Sequence, residues 1–218
     1  MAGACCLGVP PEKLRVIPLP IRLDAAREAR SPRECRAALG LDPDRPMALL
    51  VGGGEGMGPL FETARAVARS GLQAALAIVS GRNAALRRRL EQVEWEIPTW
   101  VYGFEQRMPE MMQAATILVT KAGPSTIAEA ANAGLPLVLY SCLPGQEEGN
   151  VEYVVTGGLG RWAPGPAQAA AAVRELLGNP ADLERAAQAC RRAARPQAAA
   201  EVANAVAECL VGVGSQRG

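Results

Sequence analysis

Five of the seven residues from Gly52 to Gly58 are glycines, and they lie between an apolar run and a helix-like stretch. A glycine carries no Cβ, so such a segment can bend tightly and bring its backbone N–H groups close to a ligand. Unpaired N–H groups at the start of a helix favour an anion such as a phosphate group. The run therefore predicts an anion-binding loop. A tight turn is the alternative, although one or two glycines would suffice for that.

A second segment, from Lys121 to Glu129, combines hydroxyl groups with the start of a helix. Gly123, Ser125 and Thr126 stand in the expected first turn, where N–H groups have no partner within the helix. The helix dipole and the hydroxyl groups would together favour a diphosphate. Glu129, about one turn further on, would accept hydrogen bonds from a ribose diol. Capping of the helix by Ser125 or Thr126, supported by Glu129, is the alternative.

Polar side chains also gather between Leu143 and Asn150 and, separately, at Arg82. Gln146, Glu147 and Asn150 offer several acceptors and some donors, which suit a ligand rich in hydroxyl groups, such as a sugar. A solvated loop followed by a helix is the alternative for this segment. Arg82, in a Gly-Arg-Asn turn, would add a cation near the same rim, or would act only as a turn residue.

The glycine-rich run lacks the spacing of a dinucleotide or ATP loop. From Gly52 the third glycine of G-x-G-x-x-G is replaced by Met57, and no Gly-Lys-Ser/Thr follows. The second apolar run ends at Ser80, where a dinucleotide fold would place an acidic residue for the ribose. The chain also has no histidine, so it supplies no imidazole base or histidine metal ligand. A Rossmann oxidoreductase is therefore disfavoured.

Short apolar runs precede these loops and predict the sheet that positions them. They span residues 47–51, 74–80, 99–102, 116–120 and 135–140, with a weaker sixth at 159–162. Each is apolar on both faces, as strands of a parallel sheet are. Helix-like stretches alternate with them at 60–69, 84–93, 106–114 and 125–133. The alternation predicts an α/β, Rossmann-like doubly wound parallel sheet, whose ligands bind beyond the carboxyl ends of the strands.

The chain is expected to have three parts. Residues 1–46, which include seven prolines, predict a linker with a short helix that begins after Ser31 and carries Glu34 as its capping-box acid. Residues 47–165 form the Rossmann-like core. The alanine-rich residues 166–218 predict about three helices that pack on it.

The composition is that of a globular protein, with 49% hydrophobic and 21% charged residues. Twenty-three basic residues against 22 acidic ones give a net charge of +1, which disfavours a broad nucleic-acid surface. The six cysteines form no C-x-x-C pair, so reduced thiols are expected rather than a metal or redox motif. No signal sequence or spanning run stands out, which predicts a cytoplasmic protein whose membrane contact, where it has any, is peripheral.

Together, the segments resemble one family. The stretches are VGGGEGMGPL, SGRN, YGF, TKAGPSTIAEA, GLPLVL and LPGQEEGNVEYVV, in this order. They look like the donor-binding half of monogalactosyldiacylglycerol synthases and related processive diacylglycerol glycosyltransferases, which are GT-B enzymes of glycosyltransferase family 28. The resemblance runs from about Gly8 to Leu210. One departure is Ser125, at a position where glycine is common in the family.

This resemblance implies a UDP-sugar bound at the strand ends as a substrate, with no resident cofactor and no metal. The region of Gly103, Phe104 and Glu105 would receive the uracil, partly through backbone groups, and Glu129 would hold the ribose hydroxyls. Gly123 to Thr126 would hold the diphosphate, and Gly52 to Gly58 would approach the transferred sugar and the phosphates. The third polar segment would face the sugar hydroxyls. The candidate donor-binding residues are Gly53, Gly54, Glu55, Gly56, Arg82, Gly103, Phe104, Gly123, Ser125, Thr126, Glu129, Gln146, Glu147 and Asn150.

In this family the other half of the enzyme binds the acceptor and carries a histidine base. The 218 residues contain no histidine, so the base is expected in an N-terminal half outside them, on the same or a separate chain. The resemblance implies transfer of a hexose to diacylglycerol with inversion, peripheral membrane contact and no nucleic-acid partner. A stand-alone, non-catalytic UDP-sugar-binding module and an N-acetylglucosaminyltransferase of the cell-wall precursor type are the alternatives.

Overall fold

The computed structural model describes residues 8–11, 14–21, 30–56 and 58–214, and of residues 211–214 it describes the backbone alone. The strands are β1 (Met47–Val51), β2 (Ala75–Val79), β3 (Thr99–Tyr102), β4 (Ile117–Lys121), β5 (Leu137–Ser141) and β6 (Gly160–Trp162). They form one sheet in the order β3-β2-β1-β4-β5-β6, in which every neighbouring pair is parallel. This is the doubly wound sheet that the sequence predicts, and the weak sixth strand is confirmed.

Nine helices lie within the described residues. They are α1 (Pro32–Ala38), α2 (Leu60–Ala68), α3 (Ala84–Glu91), α4 (Met108–Ala114), α5 (Pro124–Asn132), α6 (Glu148–Thr156), α7 (Pro166–Gly178), α8 (Pro180–Ala193) and α9 (Ala198–Gly214). The predicted helices are present, and their ends differ from prediction by one or two residues. For α6 the sequence predicts a helix without bounds. In the described part of the chain, no helix is both long and apolar enough to cross a lipid bilayer.

The sheet is buried on both faces because its strands carry apolar side chains in both directions. In β1, Met47, Leu49 and Val51 join one core, while Ala48 and Leu50 join the other. The first core is closed by α1, α4, α5, α6 and α8, and the second by α2, α3 and α7. Coverage of both faces is what a parallel sheet requires.

The short first helix confirms the predicted capping box. The Ser31 hydroxyl accepts the backbone N–H of Glu34 at 3.3 Å, and the Glu34 carboxylate accepts the Ser31 N–H at 2.8 Å. These bonds satisfy N–H groups that the helix itself cannot pair. Gly40, with a φ of +71°, follows the helix.

The strand order reverses direction at β1, which pairs with β2 on one side and with β4 on the other. Val51, its last residue, pairs with Val79 and with Thr120. The loops that leave β1 and β4 therefore diverge to opposite faces of the sheet. In open α/β sheets the crevice at this switch point is where ligands bind.

Candidate functional site

A cleft of about 270 Å³ opens at this switch point. Six of the candidate residues line it: Gly53, Gly54, Phe104, Ser125, Thr126 and Glu129. Apolar side chains at the ends of the strands and in α4 complete the wall, among them Val51, Val79, Met108 and Met112. Apolar walls with a few convergent polar groups are typical of sites for small molecules.

The glycine-rich loop after β1 packs on the loop after β2 through backbone atoms. A Cβ on Gly81 would lie 2.4 Å from the carbonyl oxygen of Gly54, and one on Gly56 would lie 2.2 Å from that of Ser80. The N–H of Gly56 donates to the carbonyl oxygen of Gly53 at 3.2 Å. Gly56 therefore serves the packing of the two loops, whereas Gly53 and Gly54 face the cleft.

Three exposed side chains from consecutive loops meet at the rim of the cleft. Arg82 Nη1 donates to Glu55 Oε1 at 2.9 Å. The guanidinium carbon of Arg82 lies 4.4 Å from the centroid of the Phe104 ring, an arrangement that is attractive because the ring face is electron-rich. The cation expected near the rim is thus present, and it rests on an aromatic wall of the cleft.

In the loop after β3, some residues line the cleft and one packs against α3. Gly103 packs near α3, where an added Cβ would lie 3.1 Å from Arg87 Nη1. Glu105 lines the cleft, and its Oε1 accepts the backbone N–H of Arg107 at 2.9 Å. Burial acts to raise the pKa of Glu105, but the hydrogen bonds from Arg107 outweigh it and hold that pKa below its usual value. The carboxylate is therefore ionised at neutral pH.

The start of α5 forms the opposite wall. Gly123 is the N-cap residue, Pro124 follows it, and no side chain caps the helix. Capping by Ser125 or Thr126, the alternative considered from the sequence, is therefore wrong. These two residues line the cleft instead. First-turn N–H groups have no partner within any helix, so this wall suits an anion.

The third polar segment lies outside the residues that line the cleft, and its side chains differ in exposure. Gln146 is exposed, whereas Glu147 is 6% exposed. Asn150 lies in the first turn of α6, and its Nδ2 donates to the carbonyl oxygen of Ala122 at 2.9 Å. The sequence-based alternative for this segment is a solvated loop followed by a helix. The helix is present, but Glu147 is buried and therefore not solvated.

Sequence reasoning left three residues of this region out of the candidate set. Met108 and Met112 give α4 an apolar surface in the cleft, and no sequence motif marks them. Lys121 ends β4, and its Nζ donates to Glu147 Oε1 at 2.7 Å. It is one of two lysines in the chain, a rarity that marks it among many arginines.

Comparison with known proteins gives a family match over most of the chain. The sequence model of the glycosyltransferase family 28 C-terminal domain matches residues 47–202. That range contains all the candidate residues and the whole six-stranded sheet.

Curated relatives and solved structures agree with this match. The "Probable monogalactosyldiacylglycerol synthase 2, chloroplastic" of Oryza sativa subsp. japonica is 40% identical over 203 residues, which cover 89% of this chain and 43% of the relative. The "Monogalactosyldiacylglycerol synthase, chloroplastic" of Spinacia oleracea is 38% identical over 211 residues, covering 93% of this chain and 40% of the relative. The chain thus spans about two fifths of the length of these relatives.

The fold is also similar to that of WaaG, a glycosyltransferase involved in lipopolysaccharide biosynthesis. The TM-score is 0.66 at 20% identity, and the match covers 89% of this chain and 57% of that chain. At this identity the likeness concerns the fold alone.

Proposed function

The chain belongs to the glycosyltransferase family 28 C-terminal domain family, and on that premise we propose that it is the donor-binding portion of an inverting glycosyltransferase. Its donor is a UDP-sugar, and the acceptor of the whole enzyme is diacylglycerol. The observation that carries the proposal is the cleft at the switch point. The walls of this cleft include the glycine-rich loop, the start of α5, which no side chain caps, and Glu129.

Each part of a nucleotide has a matching part of the cleft. The apolar surface beside Phe104 suits the flat base, and Glu129 suits the hydroxyls of the ribose because a carboxylate only accepts hydrogen bonds. The N–H groups of α5 and the hydroxyls of Ser125 and Thr126 suit the diphosphate. The sugar would then extend toward Gly53 and the glycine-rich loop.

In the reaction the acceptor hydroxyl oxygen attacks the anomeric carbon as the bond from that carbon to the diphosphate breaks. UDP leaves with the electron pair, and the hydroxyl proton passes to a base that these residues do not supply. The helix start at Gly123 would stabilise the charge that develops on the leaving diphosphate. The role of this chain is therefore to bind the donor and to favour departure of UDP.

The names of the curated relatives support galactose as the hexose and diacylglycerol as the acceptor. A lipid acceptor also implies work at a membrane surface. An N-acetylglucosamine donor is the alternative, and a direct comparison of UDP-galactose, UDP-glucose and UDP-N-acetylglucosamine binding decides between them. Tighter binding of UDP-N-acetylglucosamine would contradict the assignment of a galactose donor.

Calorimetric titration of the purified chain with UDP tests the core of the proposal, with ADP and NAD as controls. We expect selective binding of UDP. Equal binding of ADP or NAD, or no binding by a chain whose folding is verified by circular dichroism, would contradict a UDP-sugar site. Equal binding of ADP or NAD would point to a general nucleotide-binding module.

A further inference from the structure

Lys121 lies between the two elements that are expected to hold phosphate. Its Cε is 3.3 Å from the position that a Cβ would take on Gly53, and its Nζ is 3.7 Å from the equivalent position on Gly123. The side chain is 25% exposed. The ammonium group therefore stands beside both the glycine-rich loop and the N-cap of α5.

Glu147 holds this ammonium group and has no comparable access to a ligand. Its Oε1 accepts from Lys121 Nζ at 2.7 Å, and its Oε2 accepts the backbone N–H of Leu143 at 3.0 Å. Only 7% of the Glu147 side chain is exposed. With so little of its surface exposed, this carboxylate offers little access to a hexose hydroxyl.

The pair is also fixed from behind by the loops after β4 and β5. Ala122 donates its N–H to the carbonyl oxygen of Ser141 at 2.8 Å, and Asn150 donates to the Ala122 carbonyl oxygen at 2.9 Å. These bonds join the residue after Lys121 to the segment that carries Glu147. The ammonium group is thus presented on a braced support, which lowers the entropy lost when it binds an anion.

We propose, on the basis of the function proposed above, that Glu147 is a positioning residue and that Lys121 is the cation that receives the donor's diphosphate. An ammonium group has three N–H donors. Among the described residues the structure gives it one partner, Glu147, which leaves donors for phosphate oxygens. Glu147 therefore acts through Lys121, and not on the sugar as its place in the motif suggests.

The test is a set of titrations of the 218-residue chain with uridine, UDP and UDP-galactose. For Lys121→Gln we expect UDP affinity to fall roughly 10- to 100-fold, as for a lost hydrogen bond to a charged group, while uridine affinity stays unchanged. Lys121→Arg should recover part of the UDP affinity because it keeps the charge. UDP affinity that is unchanged in Lys121→Gln would overturn the role of Lys121.

Glu147→Gln tests the positioning role. We expect it to change the affinities for UDP and for UDP-galactose by one common factor of roughly twofold or more, and to have no further effect in the Lys121→Gln background. A loss confined to UDP-galactose would make Glu147 a sugar ligand and overturn the proposal. Should Glu147→Gln fail to fold, Glu147→Asp replaces it, because the shorter carboxylate keeps its charge but withdraws from the ammonium group.

Glu184→Gln is the matched control for the same chemical change. Glu184 pairs with Arg191 at 2.6 Å on α8, away from the cleft, so all three affinities should stay unchanged. Wild-type chain that binds no UDP would overturn the proposed function and this inference with it. Wild-type binding with an insensitive Lys121→Gln variant would overturn the inference alone.

Discussion

The backbone N–H of Arg82 donates a hydrogen bond to the carbonyl oxygen of Gly54 across 2.8 Å. This bond joins the loop after β2 to the glycine-rich loop after β1. Because Gly54 lines the cleft, the shape of the glycine-rich loop depends on the backbone of Arg82 in the neighbouring loop. Gly81, in the loop after β2, packs against the glycine-rich loop and allows this dependence to be tested.

Gly81→Ala should destabilise the chain and weaken UDP binding together. Its φ is +63°, and the new Cβ would lie 2.4 Å from the Gly54 oxygen and 2.6 Å from the Gly53 oxygen. Gly71→Ala is the control, since its φ is +75° but nothing lies within 4 Å. Backbone strain alone costs roughly 1–2 kcal/mol, so urea unfolding should show this loss for Gly71→Ala and a larger one for Gly81→Ala. Equal losses would argue against the loop packing.

Glu129→Ala should weaken UDP binding by roughly 1–3 kcal/mol, the range for lost hydrogen bonds to a charged group. Comparison of UDP with 2′-deoxy-UDP makes the test specific to the ribose. Wild-type chain should prefer UDP, and the preference should vanish in the variant. A folded Glu129→Ala variant that keeps its UDP affinity would remove the ribose assignment.

Phe104→Ala should weaken nucleotide binding by roughly 1–3 kcal/mol, the range for stacking of an aromatic side chain on a base. Its effect on unfolding should stay within about 0.5 kcal/mol, because the side chain is at the surface, where it is 56% exposed. Tyr153→Ala removes an aromatic ring of similar exposure on α6, outside the cleft. Calorimetry of both variants should show a loss of UDP affinity for Phe104→Ala only, and equal losses would contradict a base-binding wall.

Cys190 should make the folded chain less stable as the solution becomes alkaline. Its Sγ lies 3.3 Å from the Leu135 carbonyl oxygen in the core, and burial raises its pKa to about 12, from a usual value of 9.0. An unfolded chain loses this proton first, so the stability that the thiol contributes is complete below pH 9 and is lost between pH 9 and 12.

The test compares the urea unfolding of wild-type chain and of Cys190→Ala between pH 9 and pH 11. Over that interval the slope of unfolding free energy against pH should be shallower in the variant by up to about 1.4 kcal/mol per pH unit. Removal of the buried sulfur will also lower stability at neutral pH. Parallel curves for the two proteins would show that Cys190 does not titrate in the expected way.

The strands and the positions of the loops that line the cleft were predictable because a strand buried on both faces is a continuous apolar run. An apolar run such as Met47–Val51 fits a strand whose sheet has helices on both faces. The loop that follows the strand must then lie at the carboxyl edge of the sheet, where ligands bind in such folds. Local composition also sufficed for the capping box at Ser31, which needs only neighbours in the chain. These features depend on short-range patterns.

The direction of Glu147 was not predictable, because it depends on contacts between distant segments. Gln146 and Glu147 are adjacent and chemically alike in the sequence, yet one is exposed and the other is buried against Lys121. Nothing local distinguishes them. Helix α6 lacked predicted bounds for a related reason: Glu148, Gly149 and Asn150 suggest a loop, and burial of Val154 in the first core favours the helix.

The strand order also has a consequence for synthesis on the ribosome. Ala48 of β1 pairs with Leu76 on one side and with Ile117 on the other, so β1 to β3 can pair well before β4 has emerged. Until then one edge of β1 stays open, and open apolar edges invite wrong pairing. The cleft cannot form before β4 arrives, since it spans this junction. A nucleotide that bridges the two halves of the sheet would bind only the completed sheet and would stabilise it by mass action. Its concentration in the cell would then also influence how much of the newly made protein folds.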